Sequence, residues 1–172
     1  MPDSHLFLIG PMGVGKSTIG RLLAAEIALP FYDSDRVIEE RTGADIPWIF
    51  DMEGEDGFRV REAAVLADLV ATTPAIIATG GGIVTRDENC RLMRKTGKIF
   101  YLTASIDQLV ERTARDKKRP LLQVDNPREK IMELLRERDT LYRSVADHVI
   151  NTDKCSPKAA ATEIAVLGAC RA

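Results

Sequence analysis

Short apolar runs alternate with longer amphipathic stretches along the whole chain. Leu6–Ile9, Pro30–Tyr32, Ala75–Thr79, Ile99–Leu102 and His148–Ile150 are the strand candidates. Several are apolar at successive positions, as in a strand buried on both faces of a parallel sheet. Between them, Lys16–Ile27, Asp35–Arg41, Phe58–Ala71, Ile106–Ala114, Arg128–Val145 and Pro157–Leu167 carry apolar residues at helical spacing. Strands and helices in alternation predict an α/β fold built from βαβ units. Two segments take no regular assignment: Ala44–Gly57, and Arg115–Pro127 with its basic run and two prolines. Loops of that size in a compact domain often serve as lids or binding loops.

The 172 residues fit one domain with a sizeable core, and no repeat or linker divides them. A hydrophobic share of 45% against 29% charged residues is that of an ordinary globular protein. The formal net charge of −2 gives no reason to expect a nucleic-acid partner. Cys90, Cys155 and Cys170 are far apart and lack the Cys-x-x-Cys spacing of zinc or redox sites, so free thiols are expected. The N-terminus lacks the pattern of a secretion signal, and no apolar run reaches membrane-spanning length. The expectation is a cytoplasmic monomer with no membrane partner. His5 and His148 are expected at strand edges, and Trp48 in packing beside a substrate lobe.

The strongest chemical signal is Gly10-Pro-Met-Gly-Val-Gly15-Lys16-Ser17, which satisfies G-x-x-x-x-G-K-[ST] after an apolar strand and at a helix start. Glycines there let backbone N–H groups turn inward around phosphate oxygens at a helix N-terminus. Lys16 can reach the β- and γ-phosphates, and the Ser17 hydroxyl can ligate Mg²⁺. Gly13, Val14, Gly15, Lys16, Ser17 and Thr18 are therefore the expected nucleotide contacts, with ATP and Mg²⁺ the expected cofactors.

Other features each admit two readings. Asp33-Ser-Asp35 follows the second strand, where ligands bind in open α/β sheets. Its carboxylates suit a metal-bound water and a substrate hydroxyl, or they cap the next helix. Thr79-Gly80-Gly81-Gly82 is either a bare turn or a place where a ligand approaches backbone closely. Arg59 and Glu62 stand at i, i+3, where they can pair as part of a site or in solvent. The cations of Arg112–Pro120 are a solvated run, or they hold an arginine that closes on a γ-phosphate. Arg138 lies on a helix whose periodicity does not force it inward.

Taken in order, these marks resemble shikimate kinases over nearly the whole chain. They are Gly10–Ser17, Asp33-x-Asp35, Phe58-Arg59-x-x-Glu62, Gly80-Gly81-Gly82, Arg119-Pro120-Leu121-Leu122 and Arg138-x-x-x-Tyr142. The resemblance implies a P-loop NTPase-like three-layer sandwich of the nucleoside-monophosphate-kinase type, with a five-stranded parallel sheet in the order 2-3-1-4-5. It implies one domain over 1–172, with a substrate-binding segment at about 33–62 and a lid at about 112–127. It implies ATP-dependent phosphorylation of the shikimate 3-hydroxyl, a step toward chorismate and the aromatic amino acids. Asp35, Arg59, Gly81, Gly82 and Arg138 would hold shikimate, and Asp33 would act on Mg²⁺ through water. Lys16, Asp35 and Arg119 would be catalytic, with Arg119 the lid arginine. Arg112 would stack on adenine opposite Pro157. Shikimate is a carboxylate bearing hydroxyls, which suits bidentate arginines and a carboxylate acceptor.

Among other kinases, a gluconate-kinase-like sugar kinase is the nearest alternative. Asp56-Gly57-Phe58-Arg59 lacks the proline of the adenylate-kinase signature, and no Asn-Lys-x-Asp motif supports a regulatory GTPase. Gly57 stands where many shikimate kinases carry a polar residue, which puts the helix start at Phe58.

Overall fold

The computed structural model of the chain describes residues 3–116 and 120–169. Five strands form one parallel sheet: β1 (His5–Ile9), β2 (Phe31–Asp33), β3 (Ile76–Ala78), β4 (Gly97–Thr103) and β5 (His148–Asn151). Their order is β2-β3-β1-β4-β5, as expected. The seven helices among the described residues are α1 (Lys16–Ile27), α2 (Ser34–Thr42), α3 (Ile46–Val70), α4 (Asp87–Thr96), α5 (Ile106–Thr113), α6 (Pro127–Val145) and α7 (Pro157–Ala169).

Strand β1 shows why the central runs are apolar throughout. Phe7 and Ile9 enter one core with residues of α2, α3, α4 and α6. Leu6 and Leu8 enter a second core with α1, α5, α7 and the first turns of α6. Successive side chains of a strand point to opposite faces, so a strand between two helix layers must be apolar at every position. His5 departs from the expected strand edge, because β1 is the middle strand and the residue is buried. Its Nδ1 accepts from the Ala75 N–H and its Nε2 donates to the Val70 carbonyl, both at 3.2 Å.

Helix α3 is the main difference from expectation. It begins at Ile46, not Phe58, because Asp45 caps it by accepting from the Trp48 N–H at 2.9 Å, with Pro47 in the first turn. The segment 44–57 is therefore mostly helical. Gly54, at φ 71° and ψ 179°, breaks the helical path and re-aims the remainder of the helix. Arg61 spans the break, donating to both oxygens of Glu53 at 2.6 and 2.7 Å. Trp48 sits on the outer side of this first segment and is half exposed instead of packed. Helix α4 has no counterpart among the predicted elements. Among the described residues, no helix is long and apolar enough to cross a membrane.

Candidate active site

The C-terminal ends of β1, β2 and β3 open onto three adjoining clefts. Gly10, Gly13 and Gly15 have φ of 143°, 82° and 102°, a region that L side chains rarely enter. The loop they shape delivers the chain into α1, whose N-terminus carries no side-chain cap and no acidic residue in its first turn. By contrast, α2, α3, α5 and α6 are each capped by a side chain. The positive end of α1 is thus left for an anion. Lys16 crosses the loop, its Nζ donating to the Gly10 carbonyl at 2.7 Å and the Pro11 carbonyl at 2.9 Å. Gly13, Gly15, Lys16, Ser17 and Thr18 line a cleft of about 800 Å³ with Asp33, Asp35, Gly80, Gly81 and Arg112.

The two oxygens of Asp33 take different partners, and the cap reading holds at one of them. Oδ1 caps α2, accepting from the N–H groups of Asp35 and Arg36 at 3.1 and 3.3 Å. Oδ2 accepts from the Ser17 hydroxyl at 2.5 Å. The next cleft, of about 490 Å³, is lined by Val14, Gly15, Thr18, Arg112, Cys155 and Pro157. Arg112 reaches back to donate to the Val14 carbonyl at 3.1 Å. The expected adenine pair, Arg112 and Pro157, thus lines one shared space.

The third cleft, of about 390 Å³, lies on the other side of Asp35. Its polar lining is Asp35, Arg59, Glu62, Gly80, Gly81, Gly82 and Arg138, and its apolar lining includes Met12, Ile46, Phe50 and Phe58. At two of its glycines a side chain would have to displace a charged group of the site. A Cβ on Gly82 would stand 2.3–2.5 Å from the Arg59 guanidinium, and one on Gly80 would meet Glu62 Oε2 at 2.6 Å and Asp35 Oδ1 at 2.8 Å. The glycine run is held by the buried Ser34 hydroxyl, which accepts from the Gly80 N–H at 3.2 Å.

Arg59 and Glu62 form a buried pair at 2.9 Å, and the half-exposed Glu55 gives Arg59 a second carboxylate at 3.1 Å. Burial works against the Arg59 charge, but the two glutamates outweigh it and raise its pKa. Glu62 is placed less favourably. Its side chain is wholly buried and its Oε2 has no hydrogen-bond partner among the described residues. Burial, aided by the nearby Asp35 charge, pushes its carboxyl up to about 7 despite Arg59.

Arg138 is buried, although the helical periodicity was not expected to turn it inward. The signal is nonetheless in the sequence: Ile131, Leu134, Arg138, Tyr142 and Val145 repeat at three and four residues and form the buried face of α6. Arg119 lies outside the described residues. The rest of the expected lid contains the end of α5 and a short 3-10 turn at Pro120–Leu122. Pro120 and Leu121 reach the third cleft. Among the described residues, no three His, Cys, Asp or Glu side chains gather as a metal cage.

A family model for shikimate kinases matches residues 12–167. The chain is 57% identical over 160 residues to the shikimate kinase of Pseudomonas syringae pv. syringae (strain B728a), covering 93% of each sequence. Its fold is similar to that of the shikimate kinase from Acinetobacter baumannii in complex with shikimate, with a TM-score of 0.93 and 46% identity. That match covers 95% of this chain and 92% of the other. A gluconokinase from Sinorhizobium meliloti 1021 shares the fold alone, with a TM-score of 0.59 and 17% identity over 96% of this chain and 95% of its own.

Proposed function

The chain belongs to the shikimate kinase family and phosphorylates shikimate, and we propose that it does so by in-line transfer of the ATP γ-phosphoryl group to the 3-hydroxyl. The observation that carries this reading is the position of Asp35. With Gly80 and Gly81 it lines both the phosphate cleft and the third cleft, so it stands where an acceptor hydroxyl and a terminal phosphate would meet. Arg59 and Arg138 hold the substrate carboxylate, for which planar guanidinium groups are suited. Asp35 accepts a hydrogen bond from the attacking hydroxyl and orients it, and Gly81 and Gly82 allow the ring to approach the backbone.

On the donor side, Lys16 leaves the Gly10 and Pro11 carbonyls for the phosphates, and Arg112 and Pro157 flank the base. Ser17 Oγ and Asp33 Oδ2 are hard oxygen donors beside the phosphates. Two such groups fit Mg²⁺ that arrives on phosphate oxygens and keeps most of its water. Held there by Ser17 and Asp33, Mg²⁺ would supply positive charge against the negative charge that develops on transfer.

Isothermal titration tests the acceptor assignment. Arg138→Ala should weaken shikimate by roughly 10- to 150-fold, the scale of one charge-assisted hydrogen bond. The affinity for a non-hydrolysable ATP analogue should be nearly unchanged. Unaltered shikimate binding by this variant would remove Arg138 from the acceptor site.

A further inference from the structure

Helix α6 brings Arg138 to the acceptor cleft, and two buried tyrosines fix how it arrives. The Tyr142 hydroxyl, one turn after Arg138 on the same face, donates to the Gly81 carbonyl. Gly81 is the point where three parts of the site converge. A Cβ there would lie 3.5 Å from Arg138 Nη1, 3.5 Å from the Gly10 carbonyl oxygen and 3.6 Å from the Met12 nitrogen. On the residue after Arg138, Asp139, Oδ1 accepts from the Tyr101 hydroxyl of β4 at 2.7 Å, and Oδ2 accepts from Arg143 Nε at 3.0 Å. The two tyrosine rings pack with centroids 4.8 Å apart, and both residues are fully buried.

We propose that Tyr142, seconded by Tyr101, is a positioning residue for the substrate carboxylate: it ties α6 to the glycine wall and so sets the aim of Arg138. The inference rests on the reading of Arg138 as the carboxylate anchor. Arginine is a long, flexible cation, and it holds a bidentate geometry only when its backbone is fixed. The Gly81 carbonyl fixes that backbone relative to the surface that the substrate must touch. Burial pushes the Tyr142 phenol up to about 12, with the nearby Arg138 charge working against the rise. The hydroxyl therefore remains a neutral donor across the range in which an enzyme works. Neither Tyr142 nor Arg138 lines the phosphate cleft, so loss of the tie should be felt chiefly on the acceptor side.

A double-mutant cycle on kcat/KM for shikimate at saturating ATP tests this. Tyr142→Phe keeps the ring and removes only the hydroxyl. It should lower kcat/KM by about 3- to 10-fold, the scale of one neutral hydrogen bond, through KM for shikimate, with KM for ATP unchanged. In an Arg138→Ala background the same change should cost less than about 2-fold, since no guanidinium remains to be aimed. Equal losses in both backgrounds, or a matching rise in KM for ATP, would overturn the proposal. Should Tyr142→Phe fold poorly, Tyr101→Phe, which severs the Asp139 strut, carries the same cycle with the same criteria. If Arg138→Ala itself leaves shikimate kinetics intact, the anchor reading fails first, and the two failures are told apart.

Discussion

Replacing Glu62 by Gln removes a buried charge that the fold holds at a loss. The Glu62 carboxyl has an ordinary value of 4.5 and stands at about 7 in the folded chain. At roughly 1.4 kcal/mol per pH unit, that gap is worth about 3 kcal/mol. The sign follows from proton counting. Between pH 4.5 and 7 the folded state keeps a proton on Glu62 that the unfolded state has released, so stability falls as pH rises through that window. Above about 7 both states are ionised and the penalty levels off. Gln mimics the neutral acid and cannot titrate, so the variant should match the parent near pH 4.5 and exceed it by about 3 kcal/mol at pH 8. For a chain of this length that corresponds to a rise of about 6–12 °C in Tm. Urea unfolding followed by circular dichroism from pH 4.5 to 8.5, without substrates, reads the difference directly. Parallel stability curves for the two proteins, or a variant less stable than the parent at pH 8, would refute the reasoning. Shikimate binding should move the other way, because Arg59 loses the charged partner that holds it at 2.9 Å.

Gly82→Ala would drive a methyl group into the Arg59 guanidinium, so it should weaken shikimate at least about 10-fold while leaving the ATP analogue unaffected by titration calorimetry. An undisturbed shikimate affinity would mean that Arg59 can leave its place without cost. Asp33→Asn retains a good cap whereas Asp33→Ala does not, so Ala should lose about 1 kcal/mol more in thermal unfolding. Both should raise the Mg²⁺ concentration needed for half-maximal activity, since neither offers the anionic Oδ2, and an unchanged Mg²⁺ requirement would exclude Asp33 from the metal's surroundings.

How much of the molecule is legible in the sequence depends on how locally each property is decided. The phosphate loop is contiguous, and its glycines, lysine and serine act at fixed backbone offsets, so Gly10–Ser17 predict the loop found. The strand order comes with the family resemblance and is matched strand for strand. Asp33 is legible as a helix cap, but nothing in a one-dimensional reading shows that its second oxygen meets the Ser17 hydroxyl. The start of α3 is hidden by Gly54 and Gly57, which read as breakers although the Asp45 cap and Pro47 mark a helix start. Arg138 is named by the family resemblance, but its burial is not read from the periodicity, because a cation on an amphipathic helix is ordinarily solvated. Its place in the stripe with Leu134 and Tyr142 outweighs its charge. The unfavourable state of Glu62 lies beyond reach, since it arises from burial and from Asp35, which is distant along the chain.

The break at Gly54 gives the acceptor cleft a modular construction. Before it, Ile46 and Phe50 supply the greasy side of the cleft, and after it, Phe58, Arg59 and Glu62 supply the aromatic and ionic side. The two halves belong to one uninterrupted stretch of chain, yet their relative orientation is written in a single pair of torsion angles that only glycine adopts readily. The space around Gly54 is open, so the backbone alone, and no neighbouring atom, makes that residue irreplaceable. A redesign of this enzyme toward a bulkier or less polar acceptor therefore has a natural seam. Residues ahead of Gly54 can be recut to the new ring while the half that carries the Arg59–Glu62 pair is left as it stands.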